Sequence, residues 1–463
     1  KAISRAEGII SISSKGTGYV AIGEEKNKNK DPEIDFKHLH TALHGDTVEI
    51  IYHPKGKSRQ TAEVSKVIKR AKTKFAGVLE KEDSVIFFKP DDPKMYTDIL
   101  IPKENLSGAK IGDKVFVEIL SFEDAKKAPI GNVVKILGKA GENNAEMHAI
   151  AMEKGFDSDL PKGVEEEAVQ IQKGGIKDTD HIGRRDFRKV LTFTIDPSDA
   201  KDFDDAISFT EIKNGKEIEY EVGVHIADVS YYVRPGSELD KEASERGTSV
   251  YLVDRTIPML PEILSNDLCS LVPNQDRLTM SAVFVLDKNA NVKSEWYGRT
   301  VIHSQKRFTY EEAEESILKE GKPLHKELAI LNDLAKKLTK ERFKEGAISL
   351  DQEEVKFVLN MYGVPIDIIK KERGNSNKLI EEFMLLANRK VAKLITGTKK
   401  EEQNHERVSI YRVHDLPSQE KMADLAHFLK NLGYKISLVG GVIPTHQINA
   451  LLKSLEGKPE ADT

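Results

Sequence analysis

With 463 residues, the chain is long enough for two to four domains, and 39% hydrophobic residues supply ample core. Lys and Arg number 71 against 76 Asp and Glu, and the net charge of −5 argues neither for nor against a nucleic-acid partner, because local patches matter more than totals. The single cysteine, Cys269, excludes an intrachain disulfide framework and fits a reducing cytosol; no apolar stretch approaches a membrane span, so a cytoplasmic protein with no membrane partner is expected.

The chain opens with Gly8-Ile-Ile and then Lys15-Gly-Thr-Gly-Tyr19-Val, which predict short strands around a Gly-rich turn. This start is similar to the RNA-facing motif of cold-shock OB barrels, which stack bases on aromatics beside basic side chains. The resemblance makes Lys15 and Tyr19 candidate RNA contacts. A weak internal repeat follows: Gly8-Ile-Ile returns as Gly77-Val-Leu, and Leu39 with His44-Gly-Asp-Thr-Val48 returns as Leu106 with Ile111-Gly-Asp-Lys-Val115. Two tandem five-stranded barrels, residues 1–70 and 71–140, explain that spacing. Phe87 and Phe88 offer stacking surfaces in the second, but strand alternation sends one of them into the core. Lys55, Lys57, Arg59, Lys66, Lys69, Arg70, Lys72 and Lys74, against the single acid Glu63, form a basic run. Such a run is usually a solvated face; beside OB barrels it reads as a phosphate-tracking patch. Gly138-Lys-Ala-Gly-Glu-Asn-Asn is a linker signal, and residues 141–188 read as a linker and entry segment.

The densest chemistry lies in Asp196-Pro-Ser-Asp-Ala-Lys-Asp202-Phe-Asp204-Asp205, after the β-prone run Leu191-Thr-Phe-Thr-Ile195. An acidic loop in solvent is the ordinary fate of such a run. The calcium helix–loop–helix pattern fails, because a loop starting at Asp196 puts Ala200 at position 5, Lys201 at 6 and Ile207 at 12. Only Lys201 is inside the run to balance its charge. Carboxylates that converge repel unless a cation joins them, and oxygen-rich sets suit hard divalent ions such as Mg²⁺. Two such ions roughly 3.5–4 Å apart are the usual machinery for phosphodiester cleavage.

The flanks resemble the signature of the ribonuclease II / ribonuclease R family, a strand leading into T-I-D-x-x-x-A-x-D-x-D-D-A, and every fixed position is met from Thr194 through Ala206. The resemblance implies a processive hydrolytic exoribonuclease that degrades single-stranded RNA from its 3′ end with Mg²⁺ and releases nucleoside 5′-monophosphates. It places the family's four aspartates at Asp196, Asp202, Asp204 and Asp205 and leaves Asp199 at a variable position. Val224-His-Ile-Ala-Asp228-Val-Ser-Tyr-Tyr-Val233 looks like the family's next strand. Gly247-Thr-Ser-Val-Tyr251-Leu, Ile257-Pro-Met-Leu-Pro261-Glu and Leu264-Ser-Asn-Asp-Leu-Cys-Ser-Leu271 match its following block, in which Tyr251 would stack on the 3′-terminal base. Stacking is worth ~1–3 kcal/mol and tolerates any base. The helical pattern Asn377-Lys-Leu-Ile-Glu381-Glu resembles a family helix whose first glutamate approaches the nucleotide, here Glu381. Tyr411-Arg-Val-His-Asp415 matches a further block to which no role is assigned.

The expected fold is multidomain: two all-β OB barrels, then an α+β RNB catalytic domain over 189–463, with strands to about Val301 and helical patterns from Tyr310 through Phe343. The family's catalytic domain continues past Thr463 with a segment like S-P-I-R-R-Y, which brings an arginine near the scissile phosphate, and then with a third barrel. The second stacking aromatic expected near Ile348–Leu350 has no counterpart here. The chain therefore reads as an incomplete catalytic unit: a fragment, a split gene product or a truncated form. Asp196 and Asp205 are expected to ligate metal directly, Asp202 and Asp204 to complete the site and orient a water, and Asp204 to matter most for chemistry. A non-hydrolytic RNA-binding module and a metal-dependent DNA nuclease are the alternatives.

Overall fold

The computed structural model describes residues 4–23, 31–54, 59–215, 217–348, 354–371, 373–397, 410–411, 413, 415–455 and 457–458. The chain divides into two compact units, one of Lys1–Pro161, Arg246–Met259 and Leu359–Ile366, the other of Lys162–Glu245, Leu260–Val358 and Asp367–Thr463.

Two barrels occupy the first unit. Strands β1 (Arg5–Ile12), β2 (Gly18–Ala21), β3 (Glu33–Ile34), β4 (Thr47–Tyr52) and β5 (Ala62–Lys69) run in the order β3-β2-β1-β4-β5. A parallel bridge between Glu33 and Thr61 joins the two edges. Strands β6 (Lys74–Glu82), β7 (Val85–Pro90), β8 (Ile99–Leu100), β9 (Asp113–Ser121) and β10 (Ile130–Lys139) close in the order β10-β8-β7-β6-β9. The repeated residues sit at equivalent points. Gly8 pairs with Val48 in the first barrel, and Gly77 pairs with Val115 in the second. A Cβ at Gly8 would lie 2.2 Å from the Ala21 carbonyl oxygen, and one at Gly77 would lie 2.1 Å from that of Lys89. Only glycine lets the neighbouring backbone pass that closely. Each repeated aspartate accepts a hydrogen bond from the backbone three residues earlier: Asp46 from Leu43 N at 2.8 Å, Asp113 from Lys110 N at 2.7 Å. Replacing Gly77 by Ala is expected to cost about 1–3 kcal/mol or more through forced overpacking; an unchanged urea midpoint for the variant would contradict that.

Phe88 is buried and Phe87 half-buried, as alternation demands. The basic run divides. Arg70 pairs with the buried Asp46 at 2.5 Å, and Lys72 pairs with Glu153, so these two are spent on holding structure. Lys66 and Lys69 stay exposed, while Lys55 and Lys57 lie outside the described residues. The residues read as a linker are the end of β10, a tight turn with Gly141 at φ +85°, and the start of α1 (Asn143–Glu153). The apolar face of α1 explains the difference: Ala149 packs on Ala76, Phe116 and Leu137.

The second unit begins with α2 (Lys162–Gly174), β11 (Arg185–Phe187), β12 (Thr192–Asp196), β13 (Asp205–Asn214), β14 (Glu217–Ala227), α3 (Val229–Tyr232) and α4 (Glu238–Arg246). Strands β15 (Val250–Tyr251) and β16 (Thr256–Ile257) form a hairpin that belongs to the first unit. The chain continues through β17 (Asp276–Leu286), β18 (Val292–His303), β19 (Lys306–Thr309), α5 (Tyr310–Leu318) and α6 (His325–Lys344). It ends with β20 (Val355–Leu359), β21 (Pro365–Lys370), α7 (Asn375–Thr396), α8 (Gln419–Asn431) and α9 (Thr445–Leu455). One seven-stranded sheet runs β11-β18-β17-β14-β13-β12-β19. Helices α5, α6 and α7 cover one face, burying Phe193, Phe284, Phe308 and Phe383. Each such side chain contributes ~1.5–3 kcal/mol. Strands with segregated helices make this an α+β domain, as expected. Among the described residues, no helix is long and apolar enough to cross a membrane.

The other face of the sheet carries a buried polar patch. His225 is fully enclosed, with Nδ1 2.7 Å from Ser281 Oγ and Nε2 2.8 Å from Ser208 Oγ. Burial pushes its pKa down to about 3, so it is neutral and structural. Gly223 makes the room, since a Cβ there would lie 2.5 Å from His225 Nε2. Arg184 and Asp228 form a buried ion pair at 2.7 Å.

Candidate active site

Sheet pairing fixes the acidic run. Asp196 ends β12, Asp205 begins β13, and the two strands pair antiparallel through Phe193 and Ile207. The loop between them is fastened by backbone as well as side chain. Phe203 is buried; its carbonyl accepts from Leu271 N at 2.7 Å and its N–H donates to Ser270 Oγ at 3.0 Å. Ser270 Oγ donates in turn to the Lys201 carbonyl at 2.8 Å, and Ala227 N donates to the Asp204 carbonyl at 3.0 Å. The Leu264–Leu271 block is thus a buckle across the acidic loop. Cys269, within it, is buried core, and burial pushes its thiol up to about 12.

Asp196 is 6% exposed, and its Oδ2 has no hydrogen-bond partner. Burial first, then the charges of Asp204 and Asp202, raise its pKa to about 6. Asp205 is pushed to about 7 by burial, Asp204 and Asp196. Asp204 is more open to solvent and is also raised, by partial burial and by Asp202. The four carboxylates therefore act on one another, yet no three of them bring one oxygen each within 4.8 Å of the others. An orphaned buried oxygen and mutually repelling acids fit a hard divalent ion, which would draw the side chains inward by rotation. Asp199 is exposed, with Lys356 Nζ at 3.5 Å.

Two neighbours escaped sequence reasoning. Strand β19 pairs parallel with β12, setting Thr309 opposite Asp196. Arg307, on β19, donates to the carbonyls of Pro197 at 2.6 Å and Ser198 at 3.1 Å, and lies over the Phe203 ring at 5.3 Å. Its charge lowers the pKa of Asp196, opposing the burial. Tyr310 opens α5, and its hydroxyl is pushed to about 12 by burial and by Asp205, Asp196 and Asp204. A sequence signal existed for α5: Thr309-Tyr-Glu-Glu312 is a capping box, with Glu312 N donating to Thr309 Oγ1 at 3.1 Å and Thr309 N to Glu312 Oε2 at 3.0 Å. Nothing local marks the pairing that brings it beside Asp196.

The other candidates are spread out. Glu381 is exposed on α7, with Arg342 at 3.8 Å; the same Arg342 pairs with buried Glu382 at 2.5 Å. Tyr251 is 69% exposed on the β15–β16 hairpin of the first unit, whereas the aspartates belong to the second. That hairpin is tied to α1. Asn143 Nδ2 donates to Asp254 at 3.2 Å, and Arg255 donates to Asn144 Oδ1 at 2.5 Å and meets His148 Nε2 at 3.1 Å. In the first barrel, Lys15 is exposed beside Gly16, and Tyr19 is half-buried with the Arg59 guanidinium 4.7 Å over its ring. The Tyr411–Asp415 block and the Ile348–Leu350 region lie partly outside the described residues.

Comparison with known proteins adds the family. Residues 184–462 match the RNB domain and residues 87–161 a cold shock domain. Ribonuclease R of Thermotoga maritima is 36% identical over 454 residues, covering 96% of this chain and 62% of the relative. Ribonuclease R of Escherichia coli is 33% identical over 457 residues, covering 96% and 54%. The chain thus spans a little over half the length of these curated relatives. A solved structure of Mycoplasma genitalium RNase R in complex with ribose methylated single-stranded RNA superposes with a TM-score of 0.86 at 25% identity, covering 98% of this chain and 71% of that one. Yeast Ssd1, described as a pseudonuclease, shares the fold at a TM-score of 0.63 and 19% identity, covering 98% and 61%. With the RNB match spanning more than half its residues, the chain belongs to the RNB-domain family, of which ribonuclease R is a member.

Proposed function

We propose that this chain carries the metal site of a Mg²⁺-dependent hydrolytic exoribonuclease, which degrades single-stranded RNA processively from the 3′ end and releases nucleoside 5′-monophosphates in the cytoplasm. The observation that carries the reading is the set of raised, mutually repelling carboxyls at Asp196, Asp204 and Asp205, with an orphaned oxygen on Asp196. Ribonuclease R relatives and the RNA-bound Mycoplasma structure support it.

In this reading Asp196 and Asp205 would hold a first Mg²⁺, and Asp202 and Asp204 would complete the site, holding a second and orienting a water. Bound Mg²⁺ supplies charge neutralisation at the phosphate and a lowered pKa for water. Arg307 keeps the loop carbonyls in place, and the Tyr310 hydroxyl lies within electrostatic reach of Asp205, Asp196 and Asp204. Tyr251 stacks on a terminal base, Glu381 approaches the nucleotide, and Lys15 and Tyr19 guide the incoming strand. Replacing Tyr251 by Ala is expected to weaken RNA binding by ~1–3 kcal/mol, the worth of one stacked base. Equal affinity of wild type and variant in a filter-binding titration would remove Tyr251 from the site.

The testing experiment is a gel time course on 5′-labelled single-stranded RNA with Mg²⁺ or EDTA, with a DNA strand of the same sequence as competitor. Progressive shortening that needs Mg²⁺ and ends in short 5′ products supports the reading. Preferential loss of the DNA would favour a DNA nuclease. RNA that stays intact but is retarded would mean binding without hydrolysis, a reading kept open because the fold is shared with a pseudonuclease.

A further inference from the structure

The aspartates are not the residues that come together most tightly around a point. In the first barrel, ligand atoms of His38, His53 and Glu63 all lie within 4.8 Å of one another, and among the described residues this is the one such group of His, Cys, Asp and Glu. The three come from separate elements. His38 ends the 3-10 turn Phe36–His38, whose start is capped by Asp35 accepting from Lys37 N at 3.0 Å. His53 follows β4, and Glu63 lies on β5. The β4–β5 ladder sets their spacing, with Ile51 opposite Glu63 and His53 N donating to the Thr61 carbonyl at 3.0 Å.

The donor chemistry differs from that of the acidic loop. Two imidazoles with one carboxylate are the set that three-ligand zinc sites use, and imidazole suits Zn²⁺ over Mg²⁺. The rings meet edge to face, centroids 5.0 Å apart at 75°. His53 Nδ1 lies 3.3 Å from Thr61 Oγ1, the kind of outer partner that orients an imidazole and leaves Nε2 for a metal. The half-buried Glu63 carboxylate makes no hydrogen bond or ion pair with any described residue. A four-coordinate ion with bonds of about 2.0–2.2 Å spaces its ligand atoms about 3.3–3.6 Å apart, so closure needs side-chain shifts of roughly an ångström.

We propose that His38, His53 and Glu63 form a binding site for a borderline divalent ion of the Zn²⁺ class, which staples the Phe36–His38 turn to the β4–β5 edge of the first barrel. The test is equilibrium dialysis of the EDTA-stripped chain against Zn²⁺ with millimolar Mg²⁺ present to fill the acidic loop, with bound zinc read by atomic emission. Wild type should retain one equivalent. His38→Ala and His53→Ala should each weaken its uptake at least about tenfold, with far-UV circular dichroism unchanged. Imidazole ¹H–¹⁵N spectra of the wild-type chain give a readout that needs no variant: two histidine side chains should shift on Zn²⁺ addition. Uptake indifferent to both substitutions, or imidazole spectra that do not move, overturns the proposal.

Discussion

Asp204→Asn is expected to slow Mg²⁺-dependent RNA hydrolysis by about 10²–10³-fold, the usual cost of deleting one preorganised electrostatic group. RNA binding should change little. Asn keeps the volume and the backbone contacts of Asp204, whose carbonyl still accepts from Ala227 N. The side chain is the most solvent-open of the three acidic-loop carboxyls with raised pKa values, and the buckle of Ser270 and Leu271 bonds the backbone of Lys201 and Phe203 rather than this carboxylate. Single-turnover rates and filter-binding affinities on the same RNA check both halves. Near-normal rates in the variant would move the chemistry away from this loop.

Asp205→Asn should do something opposite to an ordinary core change: it should stabilise the metal-free protein. In the fold, burial and the neighbouring aspartates hold the Asp205 carboxyl at about 7 rather than 3.8. Between those values the folded state keeps a proton that the unfolded chain has released. Stability contributed by this group is therefore lost as pH rises from about 4 through 7, and the cost is complete above 7. Asp196, held at about 6, adds to the same slope. At roughly 1.4 kcal/mol per tenfold change in proton affinity, removing the charge at Asp205 should gain about 1–3 kcal/mol at pH 8 and nothing below pH 4. Saturating Mg²⁺ should reverse the order, because an ion that binds only the folded wild type stabilises it in proportion to the logarithm of its concentration. Urea melts in EDTA at pH 5 and pH 8, repeated with Mg²⁺, read all of this. A variant less stable than wild type at pH 8 in EDTA would mean that the carboxyls are not in conflict.

Much of this was legible in the chain. The acidic run raised the question of a cation by its charge density, and the flanking residues Thr194 through Ala206, which resemble the ribonuclease II / ribonuclease R signature, tipped the reading away from a solvated loop. The Gly8/Gly77 and Asp46/Asp113 repeats announced two like barrels, because each glycine answers a backbone crossing and each aspartate caps a turn in the same place. Alternation predicted that Phe87 and Phe88 could not both face solvent. The basic run was read less well: Arg70 and Lys72 turn back onto Asp46 and Glu153, acids 24 and 81 residues away in sequence.

Local sequence determined which segments are strands and helices, where the carboxylates fall and which glycines cannot be replaced, since periodicity, turn chemistry and capping act over a few residues. Tertiary structure decided who their neighbours are. Burial of one apolar face beneath α5, α6 and α7 sets β19 against β12, and so brings Arg307 and Tyr310 to Asp196. Other pairings do the same elsewhere: the Leu264–Leu271 block lays Ser270 across the acidic loop, and the β4–β5 ladder of the first barrel closes His38, His53 and Glu63 around one point. Those meetings follow from core packing between distant segments, and no short window of sequence carries that information.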